Sequence, residues 1–175
     1  MFELRLILPY PFPSTTNTLP EEYDSDLDDV GSLLHDICGR LEEAGAQFSV
    51  RICSEEAWPV TVRTDLHVIL EQLAKTIVSV RHNKAAALEF FEQGIEKVAT
   101  LSPEDDAVLV VCGSMFRDSG APETTSRCSR EAVLRELDAL ATDFLTAAND
   151  FCPEVTCHPW FQAWSQELTR AVSYR

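Results

Sequence analysis

Positive charge is what this chain has least of. Its 175 residues carry 14 Lys and Arg against 29 Asp and Glu, a net charge of −15 at pH 7. Such a surface repels phosphate backbones and anionic membrane surfaces, so neither nucleic acid nor membrane is expected as a partner. Excess acid also serves solubility, but it attracts a basic protein and accelerates encounter with it. Long apolar runs are missing too: none approaches the ~18 residues of a membrane helix. The opening MFELRLILPYPFP has neither a basic leader nor a long apolar core, which predicts a cytosolic protein. In that compartment the six cysteines are expected as reduced thiols. Only six glycines occur, scattered singly, so there is no glycine-rich phosphate loop. Neither a G-x-S-x-G nucleophile elbow nor an internal repeat nor a low-complexity tract is found.

What is present is an ordinary apolar fraction of 45%, enough for one domain of this length to bury a core without disulfide or metal. Residues 2–8, FELRLIL, alternate apolar and polar and predict a strand, ended by Pro9, Pro11 and Pro13. From Asp26 the period lengthens. Leu27, Val30, Leu34, Ile37, Leu41 and Ala44 mark a helix face, with Gly45 as its stop. QFSVRICS (47–54) alternates again, and VTVRT (60–64) is expected to pair with it as a hairpin across the turn EEAWP. Asp65 is placed to cap a second helix carrying Leu66, Ile69, Leu70, Leu73, Ile77 and Val80 and ending near His82–Asn83.

Residues 85–101 admit helix or strand; the preferred reading is strand around Leu88 and Phe90, a bend at Gly94, and a second strand in IEKVATL. After the acidic turn SPEDD, AVLVVC predicts a central strand, completing an antiparallel meander. GSMFRDSGAPETTSRC (113–128) is read as a long loop. Ser129 caps a third helix lined by Val133, Leu137, Leu140, Phe144, Ala148 and Phe151, and Pro153 ends it. His158-Pro159 opens a last helix with Trp160, Phe161, Trp164, Leu168 and Val172 on one side. Strands in hairpins rather than alternating with helices argue an α+β fold: one antiparallel sheet of about six strands, with helices on one face.

The densest feature is acidic: six of the nine residues from Glu21 to Asp29 are Asp or Glu. Asp24, Asp26 and Asp28 spell the D-x-D-x-D that begins a calcium loop. The sixth position is Asp29 where glycine is required, and the twelfth is His35 where glutamate is required, so no metal is expected. Asp26 or Ser25 is placed as helix cap, with Asp28 and Asp29 in the first turn facing the positive end of the dipole. Glu21, Glu22 and Asp24 are left over on a loop, and loops carry binding residues. Cys152, Cys157 and His158 have the wrong spacing for a zinc site and no second half, though Cys128 leaves completion of such a site open. No residue is singled out as catalytic and no cofactor is expected. Trp58, in a turn, and Phe116, in the long loop, are the aromatics expected to project as interface anchors. The aromatic last helix offers a surface for a homodimer.

LEFFEQGIEKVATLSPEDDAVLVVC (88–112) resembles a hairpin of small bacterial proteins, in which a strand ending aromatic-Glu-Gln-Gly turns into a second and a third follows an acidic turn. In overall character (small, acidic, without catalytic motifs) the chain also resembles bacterial immunity proteins of polymorphic or contact-dependent toxin systems. That resemblance implies a non-enzymatic role: binding a toxin domain, often a basic nuclease, and covering its active site. It transfers no functional residue. On this reading Glu21, Glu22, Asp24, Asp26, Asp28 and Asp29 steer the partner, and Trp58 and Phe116 anchor it. The alternative is a small enzyme or ligand-binding domain with its pocket between sheet and helices near residues 113–128.

Overall fold

The computed structural model describes residues 1–9, 23–54, 56–91, 95–115 and 122–174. Strand β1 (Phe2–Ile7) is followed by helix α1 (Val30–Glu43) and strand β2 (Gln47–Ile52). A π-helical turn (Val62–Leu66) runs directly into α2 (His67–Arg81). Strands β3 (Ala86–Phe90), β4 (Lys97–Glu104), β5 (Ala107–Ser114) and β6 (Thr124–Ser129) come next. The chain closes with α3 (Arg130–Phe151), the short α4 (Pro153–Thr156) and α5 (Pro159–Ser173).

The class is α+β, but the strands form two antiparallel sheets: β1 with β2, and β3-β4-β5-β6 in sequence order. The single six-stranded sheet is therefore corrected to two plus four. The expected meander is present as β3, β4 and β5, and residues 86–90 are strand rather than helix. The hairpin between 47–54 and 60–64 is not formed. The ladder of β2 is taken by β1, with Phe2 opposite Ile52 and Leu6 opposite Phe48. Segment 60–64 instead starts a helix. The Thr61 side chain accepts from the Thr64 N–H at 3.2 Å, and Asp65 Oδ2 accepts from the Thr61 N–H at 2.7 Å. Thr61 is thus the cap, and Asp65 answers it from inside the turn as in a capping box.

A second correction is β6. The polar residues of 124–129 pair with β5, Thr124 opposite Cys112 and Ser129 opposite Ala107, so that the last part of the expected long loop is an edge strand. Apolar periodicity is silent there because β6 is exposed or half-buried throughout. The opposite edge, β3, is covered by α2.

One cluster of buried residues joins both sheets and the helices. The four-stranded sheet contributes Leu88, Phe90, Ala99, Leu101, Val108, Val110 and Cys112 to it. Every apolar position expected on α2 is buried. On α1 the register is as expected from Leu34 onward, but Leu27 is 86% exposed because the helix begins three residues later, at Val30. Ser129 caps α3, accepting from the Ala132 N–H at 3.2 Å. His158 caps α5 through Nδ1, which accepts from the Trp160 N–H at 3.3 Å. Phe161 and Trp164 of α5 lie in the chain's own core, Trp164 edge-on to Phe144 with centroids 5.9 Å apart. Trp160, the third large aromatic of this helix, is half-buried.

Candidate interaction surface

The acidic stretch is described from Tyr23 onward; Glu21, Glu22 and Phe116 lie outside the described residues. Asp24 through Asp28 fold into a self-closed turn. The N–H groups of Leu27 and Asp28 donate to the Asp24 carbonyl at 3.0 and 2.7 Å. Asp24 Oδ1 accepts from the Asp26 N–H, and Asp28 Oδ2 accepts from the Asp24 N–H, both at 2.9 Å. These short side chains satisfy local backbone donors, the usual role of Asp in a turn. The cap of α1 is Asp29, accepting from the Gly31 N–H at 2.8 Å, rather than Ser25 or Asp26. No acid falls in the first helical turn. Among the described residues the Asp26 carboxylate accepts no backbone hydrogen bond, and it is exposed.

Tertiary structure adds an acid that the linear pattern does not reveal. Glu71, one turn beyond His67 on α2, reaches over the start of α1. A Cβ built on Gly31 would lie 2.7 Å from Glu71 Oε1 and 3.0 Å from Asp29 Oδ1, so both carboxylates crowd the same glycine. Partial burial raises the Glu71 pKa; His67 opposes that shift and Asp29 adds to it. His67 directs Nδ1 at the Arg63 carbonyl, 2.9 Å away, and its ring meets His35 of α1 edge-on with centroids 5.1 Å apart. The result is one acidic shoulder built from the 24–29 turn and the first half of α2.

Ion pairs elsewhere make the contrast. Arg40 binds Asp36 and Glu154, Arg63 binds Glu43, Arg81 binds Asp138, Arg127 binds Glu104, and Arg51 binds Glu3. Among the described residues none of Asp24, Asp26, Asp28, Asp29 and Glu71 forms an ion pair. The Arg40 network borders the shoulder, because the Tyr23 hydroxyl donates to Asp36 Oδ2 at 3.0 Å and the Tyr23 ring packs on His158.

Trp58 is not an exposed anchor. It is 7% exposed, lies edge-to-face on Phe90 with centroids 5.0 Å apart, and carries Lys97 Nζ 4.7 Å above its ring. The turn folds back because the Trp58 N–H donates to the Val50 carbonyl at 2.8 Å, which carries the indole into the core. Residue type and turn position do not distinguish a projecting tryptophan from one folded inward.

The cysteines and His158 do not assemble into a ligand set, and among the described residues no group of three His, Cys, Asp or Glu could hold a metal ion. Cys152 is buried and its thiol is pushed up to about 11, chiefly by burial, whereas Cys157 is exposed and Cys128 lies on β6. A groove of about 570 Å³ runs between α2 and the edge of β3, lined by Val68, Gln72, Lys75, Thr76, Ala87 and Glu89 among others. Its lining includes none of residues 113–128, where the alternative reading places a pocket. No described helix is long and apolar enough to cross a membrane. Comparison with known protein families, with characterised proteins and with solved structures gives no match.

Proposed function

We propose that this chain is an acidic binding protein that captures a basic protein partner and covers its active site, in the manner of an immunity protein. The observation that carries the reading is the acidic shoulder: four aspartates of the 24–29 turn and Glu71, none of them in an ion pair among the described residues, while Arg40, Arg63 and Arg81 pair with other acids. Uncompensated like charge is costly to assemble, and a cationic surface relieves that cost on docking. The mechanism is steering followed by occlusion. The field of the shoulder raises the rate of encounter, and ion pairs fix register. Screening over about 10 Å at 0.1 M salt makes the effect salt-dependent.

The test is the association rate with the basic protein that the tagged chain retains from its own organism at low salt. Wild type is compared with a variant carrying Asp24→Asn, Asp26→Asn, Asp28→Asn and Glu71→Gln. The variant should associate at least several-fold more slowly at low salt, with the two rates converging as salt rises. Equal rates at low salt would remove the shoulder from the interface.

The groove beside β3 supports a second reading, a small-ligand site, since its volume falls in the ordinary range for such sites. A thermal-shift screen of small molecules, repeated on Thr76→Trp to fill the groove, separates this reading from the first.

A further inference from the structure

The two sheets meet at a pair of thiols. Cys53 follows the last residue of β2, and Cys112 lies on the buried face of β5. Their sulfurs stand 2.9 Å apart, with the Cys112 thiol donating to Cys53 Sγ. Cys53 is held in place from three directions. Its N–H donates to the Met1 carbonyl at 2.9 Å, its thiol donates to the Val110 carbonyl at 3.4 Å, and its backbone sits at φ +63°. Of the other thiols, Cys157 is exposed, Cys128 has Ser126 Oγ as its neighbour at 3.6 Å, and Cys38 and Cys152 are buried electrostatic neighbours of each other without a thiol hydrogen bond between them.

We propose that Cys53 and Cys112 are an oxidisable pair that closes to an intramolecular disulfide on exposure to hydrogen peroxide. A disulfide has its sulfurs about 2.05 Å apart, so closure asks for an approach of less than about 1 Å. The order of events follows from exposure. Cys53 is half-buried and Cys112 is buried, and burial, followed by the neighbouring Cys53, pushes the Cys112 thiol up. The sulfur that peroxide meets first is therefore Cys53.

Cys53, giving up its proton, attacks one peroxide oxygen. The O–O bond breaks, and the departing hydroxide takes that proton as water. Cys53 is now a sulfenic acid, its sulfur oxidised by two electrons. Cys112, giving up its proton, attacks the Cys53 sulfur. The S–O bond breaks, and the second hydroxide leaves with that proton as water. Two thiols and one peroxide thus become one disulfide and two waters. The bridge spans 59 positions of sequence and ties the end of β2 to a central strand of the other sheet.

The test is peroxide treatment of the whole native chain, alkylation of remaining thiols, intact mass, and peptide mapping without reductant. The expected result is the loss of two hydrogens, a linked peptide joining Cys53 to Cys112, reversal by dithiothreitol and a raised melting temperature. Cys53→Ser and Cys112→Ser each abolish the link, and Cys128→Ser keeps it. Circular dichroism checks each variant; should the buried Cys112→Ser unfold, Cys53→Ser at the half-buried partner carries the comparison. A link between any other pair would overturn the proposal. So would Cys53 over-oxidised beside a free Cys112, or six alkylated thiols after treatment.

Discussion

The side-chain amide of Gln72 hydrogen-bonds both backbone groups of Glu89: it donates to the carbonyl and accepts from the N–H, each at 2.9 Å. One side chain of α2 thereby stands in for the missing neighbour of β3. Open strand edges invite pairing with other chains, and covering them with a helix is one remedy. Gln72→Ala leaves both groups of Glu89 without this partner. The expected cost is about 1–2 kcal/mol in denaturant unfolding, with concentration-dependent association visible by light scattering. A variant as stable and as monodisperse as wild type would show that water replaces the amide without penalty.

Trp58 closes the core at the end of the four-stranded sheet, between Phe90 and the Lys97 ammonium. Trp58→Ala should destabilise by about 3–5 kcal/mol, as large aromatic truncations in cores do. Lys97→Met removes the charge above the ring and keeps most of the aliphatic stem, with an expected loss of about 0.5–1 kcal/mol. Urea titrations of the two variants rank these effects; equal losses would mean that the cation rather than ring burial dominates.

Acids of one turn divide into structural and free. Asp29 caps α1 and Asp26 has no such duty. Asp29→Ala is expected to lower stability by about 1 kcal/mol, and Asp26→Asn to change it by less than about 0.5 kcal/mol. Partner association should respond the other way, with Asp26→Asn slowing it at unchanged melting temperature. That pairing of measurements separates a folding role from a steering role.

Acidification from neutral should first stabilise the protein. Burial raises the pKa of Glu71, Asp138 and Asp143, and for Asp138 the Arg81 hydrogen bond does not offset it. A carboxyl whose folded pKa exceeds its unfolded value favours folding below the unfolded pKa. That contribution is lost as pH rises through the folded pKa. Between neutrality and the unfolded carboxyl range of about 4, these three groups therefore make stability rise as pH falls. Melting temperatures across that window should increase before acid unfolding sets in. Glu71→Gln should melt slightly higher than wild type at neutral pH and show a shallower rise. A flat wild-type profile would contradict the upward direction of these three pKa values.

Much of the architecture was legible because it depends on local periodicity. The stripe Leu66, Ile69, Leu70, Leu73, Ile77 and Val80 predicts α2 and its buried face, and all six positions are buried. Ser129, Pro153 and His158-Pro159 mark the boundaries of the last helices through capping and ring constraints that act within a few residues. The α+β class likewise follows from strands that arrive in hairpin order.

Tertiary structure alone decided which strands became partners. Gln47–Ile52 pairs with the chain start because β1 offers a matching alternation, while Thr61 and Asp65 commit the next segment to a helical turn. No local pattern ranks those two candidates for one ladder. Edge strand β6 escaped notice because a strand with little buried surface needs no apolar alternation. The acidic shoulder was half visible: the run from Asp24 to Asp29 is in the sequence, but Glu71 joins it only where α2 crosses the start of α1. The direction of Trp58 and the meeting of Cys53 with Cys112 were likewise set by packing. Local propensity acts over a turn or two of chain, whereas these neighbours are chosen by which surfaces the whole core leaves to be filled.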